Sequence, residues 1–121
     1  MSTIRYLLDE NVDDLYQVQL LKREPTMVVV KVGVPGAPHK GTLDPAVLDY
    51  CERNSLILVT KNRRSMPSHL QEHLAQGRHV PGIFVMDPAM TIGETIEELL
   101  LIWAASDEEE YHDQLFFFPI T

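Results

Sequence analysis

The chain has 121 residues, 45% hydrophobic and 23% charged, enough for one core and too few for two ordinary domains. It holds no apolar stretch of the roughly 20 residues a spanning helix needs, no start of signal-peptide type, and a single cysteine that excludes an internal disulfide. A net charge of -8 excludes broad attraction to a polyphosphate, so nucleic-acid contact would have to be local or metal-bridged.

These features point to a cytoplasmic protein with no membrane partner, in which Cys51 is a buried small hydrophobe. The charge is unevenly placed. Residues 1 to 65 hold nine Lys/Arg and eight Asp/Glu, whereas residues 66 to 121 hold one Arg and ten acids.

In chain order, Tyr6-Leu7-Leu8 predicts a first strand, followed by the acidic pair Asp9-Glu10 and by Asn11. Val12, Leu15, Val18 and Leu21 have helical spacing, and Asn11 is expected to cap that helix. Met27 to Val32 predicts a second strand, and the glycines and prolines of Gly33 to Gly41 a loop. Asp44 before Pro45 reads as an N-cap, opening a helix that buries Val47, Leu48 and Cys51. Leu56 to Val59 predicts a third strand, followed by Thr60 and the basic cluster Lys61, Arg63 and Arg64. Leu70 and Leu74 mark a third helix, and Ile83 to Met86 predicts a fourth strand.

Asp87-Pro88 reads as a turn. Thr91 with Glu94 forms a capping box before Ile92, Ile96, Leu99, Leu100 and Trp103. Asp107 to Glu110 reads as a solvated turn or helix end, and Leu115 to Phe118 as a final strand. The strand runs lack alternation and are rich in branched and aromatic residues, so each is expected to be covered on both faces. The order β-α-β-α-β-α-β-α-β predicts one α/β domain over 1–121, with a mostly parallel five-stranded sheet between two helical layers.

In such sheets ligands bind at the carboxyl ends of the strands. Asp9 and Glu10, Thr60 to Asn62, and Asp87 are therefore candidates, and Asp44 starts a helix at the same edge. Carboxylates brought together there repel each other unless a hard divalent cation lies between them, and such a cation can activate water against a phosphodiester.

Leu7-Leu8-Asp9-Glu10-Asn11, Asp44 opening a helix, and Leu58-Val59-Thr60-Lys61-Asn62-Arg63-Arg64 resemble the successive landmarks of small bacterial PIN-like proteins, relatives of toxin-antitoxin ribonucleases. The resemblance implies a Mg²⁺- or Mn²⁺-dependent nuclease, with Asp9 and Asp44 as ligands and Glu10 and Asp87 assisting. Thr60 and Asn62 would position substrate or water, and Lys61, Arg63 and Arg64 would contact RNA phosphates. It also implies an antitoxin partner and leaves room for a homodimer. The sequence departs from the family where two aspartates are usual and Asn62 and Arg64 stand instead, which weakens a metal site. Either Asp87 supplies the missing carboxylate, or Arg64 pairs with Asp9 or Asp44 in place of a metal. The rival reading is therefore an inactive PIN-like module that binds a protein or RNA.

His69-Leu70-Gln71-Glu72-His73 matches the inverted zinc-peptidase signature. On so small a chain it reads as an exposed helix, with zinc binding there at most incidental. His39, His79 and His112 stand alone in the sequence and read as surface residues.

Overall fold

Apolar runs too short for helices can bury their backbone polar groups only by pairing, and the computed structural model, which describes residues 3–120, pairs all five. The strands are β1 (Arg5–Leu8), β2 (Val28–Lys31), β3 (Ile57–Thr60), β4 (Ile83–Val85) and β5 (Leu115–Phe117). Between them lie helices α1 (Asp14–Arg23), α2 (Asp44–Asn54), α3 (Met66–Ala75) and α4 (Ile92–Ala105), and a 3-10 turn at Glu108–Tyr111 precedes β5. The sheet order is β2-β1-β3-β4-β5, and every neighbouring pair is parallel.

Alternation along the strands divides the core into two. Tyr6, Leu8, Val29, Ile57, Val59 and Phe84 pack on the face covered by α1 and α4, while Leu7, Leu58, Ile83 and Val85 face α2 and α3. The result is the expected three-layer α/β/α arrangement. Phe84 organises the first face, with the Tyr111 ring edge-on at 5.0 Å and Phe118 at 5.3 Å. No helix among the described residues is long and apolar enough to cross a membrane.

Three expectations are corrected. The outer strands are not covered on both faces: Val28 is 38% exposed and Phe117 46%, because β2 and β5 lie at the sheet edges. In α1 the buried residues are Tyr16 and Leu20, while Leu15 and Val18 are exposed. The helix starts only at Asp14, so a stripe counted from Val12 runs out of phase with it. Its cap is Asp13 rather than Asn11, with Asp13 Oδ1 accepting from Leu15 N at 2.8 Å.

The capping box of α4 forms as expected. Thr91 Oγ1 accepts from Glu94 N at 3.1 Å, and Thr91 N donates to Glu94 Oε1 at 2.8 Å. At the entry to β4, Gly82 lies against Tyr111 so closely that a Cβ there would sit 2.9 Å from the Tyr111 Cβ. Glycine is required at that position by contact.

Candidate functional site at the carboxyl edge

A crevice opens at the carboxyl edge of a parallel sheet where the strand order reverses. Here the chain winds from β1 out to β2 and then crosses back to β3, so the reversal falls between β1 and β3. Asp9 follows β1 and Thr60 ends β3, and the Thr60 hydroxyl donates to Asp9 Oδ2 at 2.8 Å. Asp9 Oδ1 accepts from the Glu10 N–H at 2.9 Å. Burial raises the Asp9 pKa, with Thr60 and the Glu10 N–H opposing it and the Asp44 and Glu10 charges adding to it.

Asp44 reaches the same edge from α2, but not as a cap. The N-cap is Leu43, Asp44 is the first helical residue before Pro45, and no side chain caps the helix. Its carboxylate is therefore available to the site. Asp44 Oδ2 accepts from Asn62 Nδ2 at 2.9 Å and lies 3.5 Å from His69 Nε2. Asn62 Oδ1 accepts from Ser65 N at 3.1 Å, which fixes the amide with its nitrogen toward Asp44.

The other candidates spread along the edge. Glu10 turns to the Gly33 to Gly41 loop, where Oε1 accepts from Gly41 N at 2.8 Å. Asp87 closes the anticipated turn, Oδ1 accepting from Ala89 N at 2.9 Å. Lys61 lines both an open cavity of about 370 Å³, shared with Glu10, Lys31 and Lys40, and a smaller one of about 200 Å³, shared with Arg63 and Asp87. The Arg63 guanidinium lies 5.2 Å from the centroid of the Phe117 ring. Among the described residues Arg64 pairs with neither Asp9 nor Asp44; the close partners of those carboxylates are Thr60, Asn62 and His69.

Sequence reasoning passed over two residues of this edge. Lys31 is buried at the end of β2, its Nζ donating to the Glu10 carbonyl at 3.1 Å and lying 3.7 Å from Asp14 Oδ1. Its signal was a lone charge inside the apolar run from Met27 to Val32. In the sequence His69 stands out only as half of a zinc signature, whose two histidines take different partners. His73 is buried rather than exposed, with Nε2 2.9 Å from Glu52 Oε1 and 3.0 Å from the His79 carbonyl oxygen.

A hard divalent cation needs several oxygens converging on one point. Both Asp9 oxygens already accept hydrogen bonds, and Asn62 offers Asp44 a donor where an oxygen would be required. Among the described residues, Asp9, Glu10, Asp44 and Asp87 supply no three ligand atoms within 4.8 Å of one another. Among the described residues these carboxylates are held in separate hydrogen bonds rather than converging on one point.

No family model, curated protein or solved structure matches the chain.

Proposed function

We propose that this protein is a PIN-like module that contacts RNA at its carboxyl edge without cleaving it. One observation carries this reading: the Asn62 amide nitrogen donates to Asp44 where a nuclease would place a ligand oxygen. Asp9 and Asp44 then act as cross-links, tying the end of β1 to β3 and the start of α2 to the loop after β3. Lys40, Lys61 and Arg63 line cavities along the same edge, Arg64 follows in the same loop, and cations of this kind position a phosphate backbone without reading sequence. The metal-dependent ribonuclease is the second reading. It is favoured by the closeness of the two carboxylates, since the Asp44 charge contributes to the raised Asp9 pKa.

Fluorescence anisotropy with a single-stranded RNA separates these readings. The module should bind weakly, lose about tenfold or more in affinity on Lys61→Glu plus Arg64→Glu, and bind more weakly as salt rises. Mn²⁺ should neither raise its melting temperature nor induce cleavage. Asn62→Asp with Arg64→Asp, which returns the two missing carboxylates, should create a Mn²⁺-dependent rise in melting temperature. Mn²⁺-dependent cleavage by the unaltered chain, abolished by Asp9→Asn, would establish the ribonuclease instead. Absence of RNA binding would exclude both.

A further inference from the structure

Parallel strands also bring together the residues that precede them, at the amino edge opposite the site above. His79 lies between α3 and β4, and His112 and Asp113 lie just before β5, so pairing of β4 with β5 sets the three side by side. The two imidazoles stack, with centroids 5.5 Å apart and ring planes 23° apart. Asp113 Oδ2 lies 2.7 Å from His79 Nδ1 and 3.4 Å from His112 Nε2. All three ligand atoms fall within 4.8 Å of one another, the one such group among the described residues.

The carboxylate is fixed in place by the connection that precedes β4. Asp113 Oδ1 accepts from Val80 N at 2.9 Å, and Asp113 N donates to the Val80 carbonyl at 2.9 Å. One oxygen is thus committed to the backbone, and the other faces the histidines.

We propose that His79 Nδ1, His112 Nε2 and Asp113 Oδ2 form a zinc site that clamps the entry of β4 to the entry of β5. Zn²⁺ takes imidazole nitrogen and carboxylate oxygen at about 2.0–2.2 Å, often with three protein ligands and a water. Two nitrogen donors in a set of three favour it over Mg²⁺. The histidine side chains are 61% and 55% exposed, leaving an ion a path in and the rings freedom to rotate toward it. Glu108, Glu109 and Glu110 in the same connection add negative charge that attracts a cation. Because β5 pairs only with β4, the clamp would secure an edge strand. The Val80 N–H, holding Oδ1, is the supporting contact that keeps Oδ2 aimed.

Isothermal titration calorimetry of the full chain, stripped with chelator and titrated with Zn²⁺, tests the site independently of any RNA contact. One ion per chain is expected, with His79→Ala and His112→Ala each weakening binding about tenfold or more and His39→Ala leaving it unchanged. Co²⁺ in place of zinc should show the strong visible absorption of a four-coordinate ion, lost in the doubly substituted chain. Zinc binding of undiminished affinity after both substitutions, or no zinc binding by the unaltered chain, would overturn the proposal.

Discussion

Asp9 shows how one side chain combines cohesion with stored cost. Its two oxygens accept from Thr60 and from the Glu10 N–H, yet burial still lifts its pKa above the ordinary 3.8. A raised carboxyl pKa means that the folded chain holds the proton more tightly than the unfolded one. Stability from this group is greatest below about pH 4 and falls as pH rises through the raised pKa. Asp9→Asn removes the charge while keeping an oxygen for the Glu10 N–H. Because it also puts a donor where Thr60 donates, the linkage fixes the trend rather than the sign: the change in melting temperature should be more favourable at pH 8 than at pH 4. Circular dichroism melts at the two pH values check this, and a change no more favourable at pH 8 than at pH 4 would refute it.

At the scale of elements, α4 rests on a terminus visible in the sequence. Thr91→Ala removes the oxygen that accepts from Glu94 N, and urea unfolding should show a loss of about 1 kcal/mol. The strands were legible because a run such as Leu56 to Val59, buried without alternation, has few other places to go in a chain of this length. The Thr91 box was legible because both its members lie within one turn. The phase of α1 was not, since it depends on which of Asn11 and Asp13 caps the helix, and the loop decides that. Nor was the orientation of Asn62, which is set by Ser65 three residues on. His79 and His112 read as isolated because they lie 33 positions apart. Only the pairing of β4 with β5 makes them neighbours.

For the molecule as a whole, pH acts at the two edges of the sheet with different windows. At the amino edge the hydrogen bond and charge of Asp113 raise the His79 pKa above 6.5. Burial pushes Asp113 upward, but His79, the Val80 N–H and His112 more than offset it and hold Asp113 below 3.8. The His79 contribution is complete below about pH 6.5 and disappears as pH rises through its raised pKa. The Asp113 contribution is complete above about pH 4 and disappears as pH falls through its lowered pKa. Both are present only between, so His79→Gln should lower stability in guanidinium at pH 5.5 and leave it unchanged at pH 9. A difference that persists at pH 9 would show that the ring contributes by packing rather than charge. The crossing of the chain from β2 back to β3 also sets a schedule for synthesis. Asp9 and its partner Thr60 are 51 residues apart, an interval of about 3–10 s on a ribosome making roughly 5–20 residues per second. Throughout that interval β1 has an apolar flank awaiting a strand not yet translated, so the nascent chain exposes that flank before the Asp9–Thr60 link can form.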